Sequence, residues 1–252
     1  MKYTYTLPVS YQEVDTTRRW RLYNLENRLL QTAGDVADRL GFGIKQLLPY
    51  GYTWILSRMD IEMQALPVHG EMVTIETWIE RNAHMLSTRD YRFYKGSDTD
   101  GEVIGRVKSV WAVLDLKTRQ AVNAFDLPMF ADSEDGEELV LPRLPRMMPL
   151  SDVPTAFTSR VVYSDLDYNG HCNSCKYLEH MLNVHRPDFL NEPVPLRLSI
   201  QYSREIKEGD DYAIRFSDTG DSCRWQILNG EGEISASARL INMKTLSNDE
   251  MS

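Results

Sequence analysis

One pattern occurs twice along this chain, and that duplication constrains its fold more than any other property of the sequence. In the first half a strand-like start at Tyr11-Gln12-Glu13-Val14-Asp15 precedes apolar residues at Leu22, Leu25, Leu29, Ala33, Val36 and Leu40, a helical spacing that Gly41 is placed to end. Alternating runs then predict strands over 54–63, 72–80, 87–95 and 102–114. The second half repeats the order: a strand from about 159, running into the apolar stretch Val161-Val162-Tyr163, then a polar turn, a helix over about 173–185 with Pro187 beyond it, and strands near 196–203, 211–217, 222–228 and 233–243. A long helix followed by several strands, twice over, predicts an α+β architecture. The acidic, proline-containing stretch 131–150 suits neither a helix nor a central strand and reads as a linker, dividing the chain into repeats over 1–130 and 151–246 with a tail at 247–252.

Aligning Val14-Asp15 with Leu166-Asp167 superposes Leu29-Leu30 on Met181-Leu182. With a shorter second helix region, Gly70-Glu71 then meets Gly209-Asp210. In that register His171 faces Arg19, Asn169 faces Thr17 and Glu205 faces Leu66, while Asp167 faces Asp15 and alone keeps its counterpart's type. One half carries a polar set that the other lacks.

That set lies in Ser164 to Tyr177, which packs two carboxylates, two amides, an imidazole and two thiols into a stretch without apolar periodicity. Asp167, Asn169 and His171 fall on alternate positions, so an extended turn would project them to one side, and the helix that follows would offer backbone N–H groups to a developing oxyanion. An imidazole such as that of His171 can exchange a proton near neutral pH, Asp167 and Glu205 can polarise water or take its proton, and Asn169 can donate to a carbonyl. Metal binding fits less well: Cys172 and Cys175 have no second pair downstream, only Cys223 alone, and no metal site is expected. Adjacent side chains at a turn point in different directions, so the neighbouring His171 is weak support for a Cys172 nucleophile, and Cys172 reads as a buried small residue; Cys175, at the spacing of Leu178 and Leu182, reads as core. A net charge of -9 excludes a broad nucleic-acid surface, and no run is long and apolar enough to span a membrane. Three cysteines, two of them three residues apart, suit a reducing compartment; with no signal or transit segment apparent, a bacterial-type cytoplasm is expected.

Asp167-Tyr168-Asn169-Gly170-His171-Cys172-Asn173, with Tyr177 four residues on, and Tyr202-Ser203-Arg204-Glu205 resemble the motifs of the acyl-ACP thioesterases. Shorter matches in the same order, such as Trp54 to Arg58, Thr77-Trp78, Arg89-Asp90-Tyr91 and Ser109 to Leu114, extend the resemblance over nearly the whole chain. It implies a double hot-dog fold, each curved antiparallel sheet wrapped around its long helix, and hydrolysis of the thioester between a fatty acyl chain and the phosphopantetheine arm of acyl carrier protein (ACP). It also implies catalytic roles for Asp167, Asn169, His171 and Glu205, with no cofactor beyond the arm that the substrate carries. Many plant members have Cys directly after the Glu; here Ile206 stands there, so a thiol nucleophile is not expected. Water attack assisted by Glu205 and His171, with Asn169 and turn N–H groups on the oxyanion, is the expected route, and an acyl anhydride on Asp167 is the alternative. The first repeat, with Leu66 opposite Glu205, is expected to house the acyl tail. Competing readings are a hot-dog acyl-CoA thioesterase and a non-catalytic acyl-binding regulator. The expected partner is ACP, docked on the basic cluster Arg18-Arg19-Trp20-Arg21 with Arg28, or else on Arg143, Arg146, Arg204 and Lys207; a homodimer is left open.

Overall fold

A computed structural model describes residues 1–123, 125, 127–130, 133–141 and 147–245, and divides the chain into two compact units. Arg143, Arg146, parts of the expected linker and the tail lie outside the described residues.

The first unit comprises residues 1–61 and 67–141. In chain order it holds β1 (Tyr3–Pro8), a 3-10 turn (Tyr11–Glu13), α1 (Leu22–Leu40), α2 (Ile44–Leu47), β2 (Tyr52–Met63), β3 (Met72–Ala83), β4 (Leu86–Lys95), β5 (Val103–Asp115) and β6 (Ala121–Val122). The strands run in the order β1-β3-β4-β5-β2, with β6 on β5. The ladders β1/β3, β3/β4, β4/β5 and β5/β6 are antiparallel. Helix α1 forms because Leu22, Leu25, Leu29 and Val36 recur on one face, and all four are buried. Full burial of a leucine contributes roughly 1.5–3 kcal/mol. The fully buried Tyr91 of β4 donates from its hydroxyl to Leu29 O at 3.3 Å, pinning α1 to the sheet. Gly41 ends the helix at φ 81°, a left-handed conformation that glycine adopts without Cβ strain, and its N–H reaches Asp38 O while Phe42 N–H reaches Ala37 O. Phe42 thereby drops into a cluster with Ala37, Leu47, Ile79, Val113 and Phe130.

The second unit comprises residues 62–66 and 142–252. It holds β7 (Phe157–Arg160), a 3-10 turn (Tyr163–Asp165), α3 (Ser174–Val184), β8 (Leu196–Tyr202), β9 (Asp211–Asp218), β10 (Ser222–Asn229) and β11 (Ile234–Asn242). Its strands run in the order β8-β11-β10-β9-β7, antiparallel in the ladders β8/β11, β10/β11, β9/β10 and β7/β9. Cys175, Leu178 and Met181 bury one face of α3, and Tyr202 of β8 donates to Ser174 O at 3.2 Å.

Two expectations are corrected. Tyr11 to Asp15 and Val161 to Tyr163 do not extend strands. Each leads into a tight 3-10 turn, because the carboxylates of Glu13 and Asp165 accept the backbone N–H three residues back, of Ser10 at 3.2 Å and of Val162 at 3.0 Å. Local side-chain acceptors of this kind outcompete a ladder. The strand β1 was not anticipated; its alternating exposure is that of an edge strand beside β3. No helix among the described residues is long and apolar enough to cross a membrane.

Candidate active site

The turn from Asp167 to Asn173 is built by its own hydrogen bonds. Asp167 N–H donates to His171 O at 2.8 Å and Gly170 N–H to Asp167 O at 3.1 Å. Gly170 sits at φ 75°, where a Cβ would be strained. Asp167 Oδ1 accepts from Asn169 N–H at 2.8 Å and His171 N–H at 3.1 Å. Cys172 N–H donates to Ile206 O and Asn173 N–H to Asp165 O, both at 2.8 Å, and His171 bridges to Lys207. The turn is thus closed, not extended, and Asp167 directs an oxygen into it instead of outward beside Asn169 and His171.

The same contacts correct the expectation of a backbone oxyanion hole. The N–H groups of Asn169, Gly170, His171, Cys172 and Asn173 all donate inside the fold. At the start of α3, Asn173 takes Cys175 N–H on its side chain at 3.1 Å and Lys176 N–H on its carbonyl at 2.8 Å. The side-chain amide of the part-buried Asn169 is the turn donor that sequence reading named and that these backbone bonds leave in play.

The pairing of residues 171 and 172 with 206 and 207 brings His171 Nε2 within 3.4 Å of Glu205 Oε2. The imidazole is 13% exposed and the carboxylate 40%, so the pair has one sheltered member and one that meets solvent. Glu205 lies just past β8, held from both sides by a residue that sequence reading quoted only as part of a motif. The hydroxyl of Tyr177 accepts Ile206 N–H at 3.2 Å and donates to Arg204 O at 3.4 Å. Burial pushes this phenol well above the ordinary tyrosine range, which keeps it a donor. Its ring meets Tyr202 edge to face with centroids 5.7 Å apart. The signal was available, since Tyr177 falls on the buried face of α3 yet is polar.

The thiols take no part in this geometry. Cys172 is buried, and burial, followed by the carboxylates of Asp165 and Asp167, pushes its pKa up to about 12. A protonated thiol is a poor nucleophile. Cys175 and Cys223 are buried as well, and Ile206 is buried where a thiol would follow the Glu.

Of the basic cluster, Arg28 pairs with Glu13 at 2.6 Å, Arg21 Nη1 donates to Gln12 O at 3.2 Å, and Arg18 is exposed at φ 64°. Arg204 pairs with Glu233 at 3.0 Å.

An α+β fold made of antiparallel sheets that each pack on a helix is that of a hot-dog protein. Comparison with known proteins narrows this. Residues 1–126 match the acyl-ACP thioesterase N-terminal domain and residues 151–243 the acyl-ACP thioesterase C-terminal domain, and the chain belongs to that family. It is similar to the chloroplastic acyl-[acyl-carrier-protein] hydrolase FATB2 of Cuphea viscosissima, 28% identical over 187 residues, covering 70% of this chain and 43% of that relative. The chain thus spans less than half the length of that curated relative. The crystal structure of an acyl-ACP thioesterase from Bacteroides thetaiotaomicron is similar with a TM-score of 0.74 at 27% identity, covering 95% of this chain and 97% of that one. The 12:0-ACP thioesterase from Umbellularia californica shares the fold, with a TM-score of 0.76 at 20% identity over 95% of this chain and 96% of that one.

Proposed function

We propose that this chain hydrolyses the thioester joining a fatty acyl chain to the phosphopantetheine arm of ACP, releasing free fatty acid and ending elongation. The observation that carries the reading is the His171–Glu205 contact at 3.4 Å in a member of the acyl-ACP thioesterase family. Glu205 takes a proton from water as the water oxygen attacks the acyl carbonyl carbon. The amide of Asn169 donates to the oxyanion that forms. Collapse breaks the C–S bond, and the proton held by Glu205 passes through His171 to the departing sulfur, giving a carboxylic acid and a free thiol. Asp167 holds the turn, a role supported by its two backbone contacts. No cofactor is invoked.

The first repeat is proposed to take the acyl tail, where each buried CH₂ contributes about 0.8 kcal/mol. ACP is acidic and this chain carries -9, so docking needs a local cationic surface, for which we favour Arg18 and Arg21. The same reading places the protein in a cytoplasm beside a soluble carrier.

The direct test is fatty-acid release from matched acyl-ACP and acyl-CoA substrates. Release from acyl-ACP with higher kcat/KM supports the proposal. Equal or better turnover of acyl-CoA favours the acyl-CoA thioesterase reading, and tight acyl binding without release favours a regulator. Charge reversal at Arg18 and Arg21 should lower kcat/KM for acyl-ACP and spare a short carrier-free thioester; equal loss on both substrates would point to damage at the site instead.

A further inference from the structure

At its C-terminal end α3 brings a second group of functional side chains together. His185 caps the helix, and Asp218 and Cys223 are Cα partners across the β9/β10 ladder. One ligand-type atom from each lies within 4.8 Å of the other two. We propose that His185, Asp218 and Cys223 form a binding site for a borderline-soft divalent cation of the Zn²⁺ type.

The mix of donors sets the ligand class. Imidazole nitrogen, carboxylate oxygen and thiolate sulfur together suit Zn²⁺ or Co²⁺ and are wrong for Mg²⁺ or Ca²⁺, which take oxygen. Charge agrees: one thiolate and one carboxylate neutralise a divalent ion with the imidazole neutral. When the ion enters, the Cys223 S–H bond breaks, the sulfur keeps the electron pair to form the metal bond, and the proton leaves to solvent.

The supporting shell is built. The His185 ring lies flat on Phe216, centroids 4.2 Å apart and planes 7° apart, which fixes its orientation. Asp218 Oδ1 accepts Gly220 N–H at 2.7 Å, which leaves Oδ2 to meet His185 Nε2 at 2.5 Å. Second contacts of this kind orient metal ligands. Tetrahedral zinc with bonds of 2.0–2.3 Å spaces its ligand atoms roughly 3.3–3.8 Å apart, so the His185–Asp218 contact must open by about an ångström. Both side chains are partly exposed, 30% and 21%, and have room to do so, while Cys223 is fixed in the core. With three protein ligands, a tetrahedral ion would complete its shell with water. Sequence spacing could not show this site, because strand pairing and not a short motif brings its members together.

The cluster stands at the opposite end of an 11-residue helix from the catalytic turn, about 16 Å along the axis at 1.5 Å per residue. Its effect is therefore on how α3 is held against the β9/β10 hairpin, separate from thioester chemistry.

Titration of chelator-stripped protein with Co²⁺ alone tests the site by absorption spectroscopy. One equivalent should give the intense d–d bands of tetrahedral cobalt and a sulfur-to-cobalt charge-transfer band, and Zn²⁺ should displace both and raise Tm. C223S should abolish the charge-transfer band. Because Cys223 is fully buried and C223S risks unfolding, H185Q and D218N are measured beside it, and each should weaken Co²⁺ binding at least about tenfold. Thioesterase activity of H185Q and D218N should stay near wild type, and His171→Ala should leave the cobalt spectrum intact, so this proposal and the proposed activity fail separately. Absence of a charge-transfer band in the folded wild-type protein, unchanged Co²⁺ affinity in H185Q and D218N, or loss of the band in Cys172→Ser with C223S unaffected would overturn the site.

Discussion

The two turns, at Asp15 to Arg21 and Asp167 to Asn173, share nearly every backbone hydrogen bond and almost no side chain. Asp15 N–H donates to Arg19 O at 2.9 Å as Asp167 does to His171 O at 2.8 Å; Trp20 N–H donates to Pro67 O at 2.8 Å as Cys172 does to Ile206 O at 2.8 Å; Arg21 N–H donates to Glu13 O at 2.9 Å as Asn173 does to Asp165 O at 2.8 Å. The bridges Arg19/Val68 and His171/Lys207 match, and the left-handed position is Arg18 in one turn and Gly170 in the other. Asp15 Oδ1 accepts from Thr17 N–H at 2.8 Å, as Asp167 Oδ1 does from Asn169 N–H. A helix side chain also approaches the turn carboxylate in both copies, Arg28 to Glu13 at 2.6 Å and His180 to Asp165 at 3.1 Å, though only the first pair is hydrogen-bonded. The turn is a scaffold, and the proposed chemistry resides in what is placed on it. A residue present with the same contacts in both copies is explained by the scaffold, which favours the proposal that Asp167 positions the turn over the alternative that it is the nucleophile.

The largest expected break in this comparison is at the residues that only one turn carries. His171→Ala or Glu205→Gln should lower kcat by about 10² to 10⁴, the usual cost of losing a general acid or base, with the fold intact by circular dichroism. Arg19→Ala should leave kcat near wild type. Turnover close to wild type in a folded His171→Ala protein would remove the imidazole from the mechanism.

Next in size is Tyr177→Phe. It leaves Ile206 N–H without its acceptor, a loss of about 1–3 kcal/mol. Chemical denaturation should register that loss, and kcat should fall with KM little changed because Glu205 loses its anchor; an unchanged kcat in the folded variant would deny the hydroxyl a positioning role.

The left-handed positions should respond with opposite signs. Gly170 has open space around its missing Cβ, so Gly170→Ala meets only the conformational penalty of about 1–2 kcal/mol. Arg18→Gly relieves the same strain and should gain a few tenths of a kcal/mol, offset in part by chain entropy. Each kcal/mol corresponds to a Tm shift of about 2–4 °C at this size, and shifts of the same sign in both variants would break the equivalence of the turns.

The smallest effects are expected at the shared aspartates. Asp15→Asn and Asp167→Asn both retain an oxygen that can accept the turn N–H groups, so stability should move equally and by less than about 1 kcal/mol, with kcat within about tenfold in the second case. A much larger loss confined to Asp167→Asn would restore the anhydride route.

Much of this was legible in the sequence, for physical reasons that can be located. The extent of α1 follows from its apolar spacing and Gly41, and that of α3 from Cys175, Leu178 and Leu182 with a stop near Pro187, because one-sided burial writes itself into periodicity, although the buried face takes Met181 and leaves Leu182 half-buried. The register of the two repeats, down to Gly70 and Gly209, is the one the backbone adopts, both glycines standing at positive φ. The 3-10 turns were hidden because their cause is a single carboxylate closing on a backbone N–H three residues away, which leaves no periodic trace. The juxtaposition of His171 with Glu205 was a matter of resemblance; the ladder between residues 171–172 and 206–207 is what brings it about, and no local pattern announces a pairing across more than thirty residues. The turn N–H groups look free in the sequence because a helix start follows them; of the side chains that occupy them, Asp167 reads as catalytic and Asn173 only as part of a motif.

The buried Cys172 thiol gives the turn of the proposed active site a distinct relation to its chemical surroundings. Burial, with the carboxylates of Asp165 and Asp167 beside it, keeps this thiol protonated at neutral pH, and peroxides, disulfides and alkylating agents react with the ionised form. A sulfur therefore sits directly beside His171 without exposing the turn to oxidants. Fatty-acid release by this route would not follow the redox state of the cell, and would continue through oxidative stress that stops enzymes built on a cysteine.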